Sequence, residues 1–206
     1  MPERFHELAI TPAVVTEQIR YYGRAQARPA GAGRDLLGEV ERDFIAARDS
    51  FYMATVSEDG WPYIQHRGGS AGFLRILGPN LLGFADLRGN RQMLSTGNVA
   101  VNDRVALFLM DYPQRSRLKI LGHARVMPAA AEPELTARLA PAGTPGVERI
   151  VLIEVEAFDW NCPKFITPRY TIPEIESLVA PLKTRIAELE AQLRQHSPRT
   201  QARKFP

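Results

Sequence analysis

The chain has 206 residues, 45% hydrophobic and 24% charged, which is enough to fill one globular core. A formal charge of +3 and a pI of 9.2, with arginines scattered except in the last eight residues, do not make the dense basic face that nucleic acid requires. No apolar run approaches a membrane span, residues 1–20 lack a signal-peptide core, and one cysteine (Cys162) precludes an internal disulfide, so a cytoplasmic protein without membrane or nucleic-acid partners is expected.

Residues 1–36 read as an N-terminal arm. Thr11-Pro12 is a helix start, and Val14, Val15, Gln18, Ile19 and Tyr22 follow at helical spacing. Gly23 to Arg34 then reads as a flexible connection, its Gly31-Ala32-Gly33 lacking dinucleotide spacing. Residues 37–170 hold the core. Leu36, Leu37, Val40, Phe44 and Ile45 predict a short amphipathic helix. Strands are expected at Phe51–Ser57, Pro62–Arg67, Phe73–Leu77, Leu81–Asp86, Val105–Met110, Arg117–Met127 and Arg149–Phe158, with a helix around residues 90–98. Glu58-Asp59-Gly60 and Gly78-Pro79-Asn80 supply turns, and the last strand alternates, Ile150, Leu152, Glu154 and Glu156 against Val151, Ile153 and Val155. Seven short strands at mostly hairpin spacing predict a closed or nearly closed antiparallel barrel rather than a doubly wound sheet.

Trp160 to Tyr170, with two prolines, reads as an ordered loop. Residues 171–206 form the third part, a helix with a basic tail. Thr171 and Glu174 make a capping box, and Ile175, Val179, Leu182, Ile186, Leu189 and Leu193 recur in steps of four and three. Pro181 is expected to kink this helix or start a second one, Glu190 and Arg194 pair along it, and the seam, under three heptads long, is expected to dock on the barrel or on a partner subunit rather than form an independent coiled coil.

The chemistry-bearing stretch is Leu82 to Gln92. A strand ends in a polar turn where Gly89 and Asn90 would open a helix, with Arg91 and Gln92 in its first turn. Free N–H groups, a helix dipole and a fixed cation together suit a phosphate; an ordinary strand-to-helix junction with a solvated arginine is the competing reading. Protein-borne catalysis finds little support: His6, His66, His123 and His196 show no metal spacing, and no C-x-x-C pair, nucleophile elbow or carboxylate couple occurs. Cys162 reads as an inert, packed residue, and any enzymatic chemistry is expected from a bound cofactor.

A family resemblance adds to this reading. Phe51-Tyr52-Met53-Ala54-Thr55-Val56-Ser57, Gly60-Trp61-Pro62, Gln65-His66-Arg67-Gly68-Gly69, Phe84-Ala85-Asp86, Gly89-Asn90-Arg91, Asn102-Asp103-Arg104-Val105-Ala106-Leu107 and Lys119-Ile120-Leu121-Gly122-His123-Ala124 occur in order. This series, over roughly residues 36–170, resembles the pyridoxamine 5′-phosphate oxidase-related flavin-nucleotide-binding proteins. The resemblance implies a mainly β antiparallel split barrel with flanking helices and a C-terminal helix, a homodimer, and FMN at the subunit interface. It places Tyr63, Ile64, Gln65, His66 and Arg67 beside the flavin and its ribityl chain, Phe84 and Ala85 beside the ring, and Asn90, Arg91 and Gln92 on the phosphate. Many relatives carry a second cation where Gln92 stands, so either the clamp is weaker here or Arg67 supplies the missing charge. Arg117 and Lys119 would reach the flavin, in many relatives from the partner subunit. Asn161, Lys164 and Arg169 lie on a loop that closes over the flavin in similar proteins, where Lys164-Phe165 departs from the usual Gln-His. The arginine–histidine signature of true vitamin B6 phosphate oxidases is missing near the C-terminus. The resemblance therefore implies an FMN-dependent oxidoreductase for another small molecule, with a flavin-storage protein or an enzyme using deazaflavin or haem as alternatives.

Overall fold

Alternating side chains build the sheet. In the computed structural model, which describes residues 3–31, 33–140, 144–160 and 163–196, strand β1 (Ser50–Val56) buries Phe51, Met53 and Thr55 and turns Tyr52 outward. Strands β5 (Arg104–Asp111) and β6 (Ser116–Pro128) continue the pattern with Val105, Leu107, Leu109, Leu118 and Ile120 inside. With β2 (Pro62–Gly68), β3 (Arg75–Ile76), β4 (Leu81–Leu87) and β7 (Val147–Trp160) they form one antiparallel sheet of seven strands, ordered β2-β1-β5-β6-β7-β4-β3. Both expected turns are present: Gly60, at φ +84°, closes the β1–β2 hairpin, and the Leu77 N–H donates to the Leu81 carbonyl at 2.8 Å.

The sheet curls without closing. Three strands separate β1 from β4 in the pairing order, yet the Phe51 and Phe84 rings meet edge to face at 5.5 Å. Arg67 of β2 likewise reaches Asp86 of β4 at 2.8 Å. Side chains rather than a backbone ladder join the two ends, which is the geometry of a split barrel. Between Leu121 and Gly122 the register of β6 with β7 skips Glu156, a bulge in β7. A Cβ on Gly122 would lie 2.6 Å from the Glu154 carbonyl oxygen, so glycine alone fits there.

Two expectations change in detail. The helix placed around residues 90–98 is α4 (Leu94–Val101), and Arg91 and Gln92 lie in the turn before it. The Asn90 carboxamide accepts from the Gln92 N–H at 3.2 Å and donates to the Gln92 side chain at 3.2 Å, diverting these residues from helical hydrogen bonding. Strand β7 alternates as expected: Ile150 and Leu152 pack under Leu139 of α5 (Pro133–Leu139), while Val151, Ile153 and Val155 enter the main core. The strand expected at Phe73–Leu77 shortens to Arg75–Ile76, because Phe73 leaves the ladder to stack on Phe51.

The arm folds onto its own barrel. Helix α1 (Glu3–Ala9) is followed by α2 (Pro12–Tyr22), capped by Thr11 as expected. The connection expected to be flexible is tied back, Arg28 donating to the Glu7 carbonyl at 3.0 Å and the Gly31 N–H to the Glu7 carboxylate at 3.3 Å. Glu156 on β7 is the anchor, bonded by both Arg4 and Arg34, and Asp35 accepts from the Phe158 N–H at 3.0 Å. Helix α3 (Glu39–Ala46) follows, and its Glu41 accepts from the Gly38 N–H and from Trp160 Nε1.

Burial alone would raise the Glu156 pKa, but hydrogen bonds and charge from Arg4 and Arg34 outweigh it and hold the group below its ordinary value of 4.5. A carboxylate lowered in this way stabilises the docked arm above that value, and the contribution is lost as pH falls through the depressed pKa. Burial raises the Asp35 pKa, so its contribution runs the opposite way, favouring the docked state at acid pH. Pepsin cleavage within residues 3–36 is therefore expected to accelerate only below pH 4.5, and to be fast already at pH 4.5 in Glu156→Gln, which lacks the charge at every pH. Equal cleavage of both proteins at every pH would remove Glu156 as the anchor.

The chain divides into two compact units, Met1–Ile166 and Thr167–Pro206. The second contains α6 (Ile172–His196), a single helix that runs through Pro181 without a break. Its capping box forms as expected, the Thr171 N–H donating to Glu174 at 2.7 Å, and Glu190 and Arg194 approach to 3.8 Å. No described helix is long and apolar enough to cross a membrane.

Candidate functional site

The split itself creates the site. Along β2, Tyr63, Gln65 and Arg67 point inward at every second residue, and Ile64 and His66 point out. Across the gap stand Asp86, the 88–93 turn and the start of α4. Together these enclose a polar cavity of about 230 Å³ lined by Tyr63, Gln65, Arg67, Asn90, Arg91 and Gln92, and also by Asp86, Ser95, Thr96 and Arg149.

A ladder of charges lines it. Arg67 Nη1 donates to Asp86 Oδ1 at 2.8 Å, and Arg149 Nε donates to Asp86 Oδ2 at 2.8 Å. Arg149 Nη1 donates to Glu148 at 3.1 Å, and Arg91 Nη2 donates to the same carboxylate at 2.9 Å. The hydrogen bond from Arg91 holds the Glu148 carboxyl below the usual range. Three guanidiniums face two carboxylates, so the ladder carries a net positive charge. Each guanidinium has five donors and uses only some of them in these pairs.

One donor is left over. Arg67 Nε is buried and has no hydrogen-bond partner among the described residues, although its guanidinium lies 5.6 Å over the Phe84 ring and is held by Asp86. Such a buried donor costs about 1–3 kcal/mol unless a ligand or water satisfies it. The N-terminus of α4 opens on the same cavity and carries no side-chain cap. Arg91 and Met93 adopt φ of +58° and +59°, so the turn carries backbone strain just where it meets the cavity. Orphan donors, a helix start and excess positive charge all suit an anion.

The remaining sequence-predicted residues lie elsewhere. Phe84 is in the core, and Ala85 packs with the small cluster under α5. Ile64 and His66 are on the outer face, where His66 meets the Tyr52 ring at 5.5 Å. Arg117 lies 5.8 Å over Phe108 with its Nε buried and unpartnered among the described residues, and Lys119 pairs with Asp159 at 2.7 Å. Neither lines the cavity. Lys164 is exposed in the segment after β7, Arg169 belongs to the second unit, and Asn161 lies outside the described residues. Sequence reasoning passed over Asp86 and Arg149 as site residues. Asp86 was readable, being two positions from Phe84 on the same strand face; Arg149 was not, because only the register of β4 with β7 sets it opposite Asp86.

The profile of the pyridoxamine 5′-phosphate oxidase family matches residues 37–160, more than half of the chain. The chain belongs to the pyridoxamine 5′-phosphate oxidase family. The matched region contains every strand of the sheet and every residue of the cavity. Among curated proteins none matches. Solved structures with a similar fold include HupZ of Group A Streptococcus, at 15% identity over 66% of this chain and 99% of that one, with a TM-score of 0.48. An F420 reductase matches at 19% identity over 60% of this chain and 98% of that one, with a TM-score of 0.42. An FMN-binding protein of Syntrophomonas wolfei matches at 12% identity over 59% and 83%, also with a TM-score of 0.42. These likenesses are distant and carry no functional weight.

Proposed function

We propose that this protein binds FMN in the split of the barrel and is an oxidoreductase acting on a small molecule. The observation that carries the reading is the buried, unpartnered Nε of Arg67 in a cavity with excess positive charge. At about 230 Å³ the cavity falls below the roughly 300–1,000 Å³ usual for a whole drug-sized ligand, and so fits the phosphorylated tail of a flavin. Arg67, Arg91 and the α4 N-terminus bind the phosphate, Arg149 holds Asp86 and Glu148 in place, and Tyr63 and Gln65 meet the ribityl hydroxyls. A bound flavin supplies hydride or electron transfer at N5; the chain supplies position and charge. Oxidation of vitamin B6 phosphate itself is not the reading, since the chain continues into the heptad helix rather than the arginine–histidine signature.

The visible spectrum of the purified protein, with mass analysis of any released cofactor, tests this. A flavin spectrum and the mass of FMN are expected, with riboflavin, which lacks the phosphate, bound at least about 100-fold more weakly, as lost charge-assisted hydrogen bonds require. Turnover of the bound flavin by a reduced nicotinamide marks the enzyme, and tight flavin without turnover marks storage. A protein that neither carries nor takes up FMN overturns the proposal.

The same reading includes a homodimer. The outer face of β1, β2, β5 and β6 is apolar, with Tyr52, Ala54, Ile64, Ala106, Phe108 and Leu121 around a depression of about 520 Å³. Ile64 is 63% exposed there. A second copy covering this face would bring Arg117 and Lys119 to its partner's flavin. Light scattering is expected to give twice 23.0 kDa, and Ile64→Arg, which places a charge in the buried face, to shift it toward monomer. A wild-type protein that stays monomeric excludes the shared site.

A further inference from the structure

We infer that α6 pairs with α6 of a second copy as a parallel, two-stranded coiled coil. The inference is independent of what the barrel binds. Helix α6 has 25 residues, about 37 Å, and its first residue extends the seam by one position. Ile172, Val179, Ile186 and Leu193 fall at heptad position a, and Ile175, Leu182 and Leu189 at position d. Every seam position from Ile172 to Leu193 is therefore apolar, and all but the half-buried Val179 are exposed. A lone helix has no surface of its own against which to bury such a stripe.

The side chains select strand number and direction. Branched residues, Ile and Val, fill the first three a positions, and leucine fills two of the three d positions, the combination that favours parallel dimers. Pro173 and Pro181 fall at positions b and c, outside the seam, so neither ring enters the contact. In a parallel pair each g residue faces the e residue five positions on in its partner. This sets Arg185 against Glu190 on both sides of the seam, and puts the Lys183 stem beside Leu178. An antiparallel pair centred on the helix instead sets Lys183 against Lys183 and Glu176 against Glu190, like charge on like. Within the single helix Arg185 and Glu190 have only exposed partners, Glu188 at 2.9 Å and Arg194 at 3.8 Å, weak pairs that an interhelical one can replace.

Disulfide trapping in the full chain, in a Cys162→Ala background, tests the pairing. A parallel in-register pair sets each d residue opposite its own copy. Oxidation of Ile175→Cys and of Leu189→Cys is expected to give covalent dimers, and Thr184→Cys, on the outer face, is expected to give none. Arg185→Glu is expected to lower the trapping yield at Ile175→Cys about tenfold, and Arg185→Glu with Glu190→Arg to restore it, since two attractive pairs become repulsive and then attractive again. Absence of dimers at both seam positions, equal trapping at Thr184→Cys, or trapping at Ile186→Cys without trapping at Ile175→Cys (the antiparallel outcome) each overturns the inference. Dimers that persist in light scattering while trapping fails refute this pairing and leave the barrel dimer standing. Trapping with a dimer that survives Leu182→Asp, which breaks the seam, and then yields to Ile64→Arg supports both contacts, whereas trapping with a dimer lost in Leu182→Asp alone supports this pairing and removes the barrel dimer.

Discussion

Arg67→Ala is expected to weaken FMN binding by roughly 10–100-fold while leaving a folded barrel. The size follows from one charge-assisted hydrogen bond, worth about 1.5–3 kcal/mol, at about 1.4 kcal/mol per tenfold. The fold survives because Asp86 keeps Arg149 at 2.8 Å, so no carboxylate is stranded when Arg67 leaves. Arg67→Lys separates charge from geometry. It keeps a cation near the phosphate but removes the Nε donor, which is buried and has no partner among the described residues. Its affinity is expected between those of wild type and alanine. Arg91→Ala is expected to lose less, because Arg91 is more exposed and its pair with Glu148 lies in solvent. Fluorescence titration with FMN reads all three. Equal affinity of Arg67→Ala and wild type would move the phosphate out of the split.

Asp86→Asn is expected to destabilise the ligand-free protein by about 2–3 kcal/mol. Asp86 is one of the few buried charged residues, and it sits between Arg67 and Arg149, both largely buried. Removing its charge leaves two guanidiniums uncompensated, a change that costs about 3–5 kcal/mol in a fully buried site and less here because both side chains keep some solvent. At about 2–4 °C per kcal/mol for a chain of this size, Tm falls by roughly 5–10 °C. Asparagine keeps an oxygen that accepts from Arg67, so the pocket keeps its shape while gaining one unit of positive charge. FMN affinity is then expected to rise several-fold above wild type. Saturating FMN is expected to raise Tm more in the variant than in wild type, because the phosphate takes over the neutralising role of Asp86. Thermal melts with and without FMN give the answer. An equal ligand-induced rise in both proteins would place the phosphate away from Asp86.

Much of the sheet was legible because strands announce themselves locally. Alternation in Phe51–Val56, the glycine turn at Gly60 and the β-rich runs of β5 and β6 needed no tertiary information. The alternation of β7 was legible too, but not that α5, a short helix without a strong periodic signal of its own, covers its second face. α1 was also invisible: it has seven residues, and it is held by an ion pair to a strand some 150 residues away. The turn at 88–93 was read as the first turn of a helix because its composition suits one. The side-chain bonds of Asn90 and Gln92 favour a different backbone.

By itself the sequence determined the strand set, the capped helices, the heptad seam of α6 and the alternation that aims Tyr63, Gln65 and Arg67 to one side. Each of these depends on neighbours within a few residues, where periodicity and capping act. Only the tertiary structure decided that the sheet stays open between β2 and β4, that the arm docks on β7, and that Arg149 faces Asp86 beneath Arg67. Those outcomes depend on register and curl between strands far apart in the chain. A one-residue slip would have turned Asp86 to the other face of the sheet and dissolved the cavity.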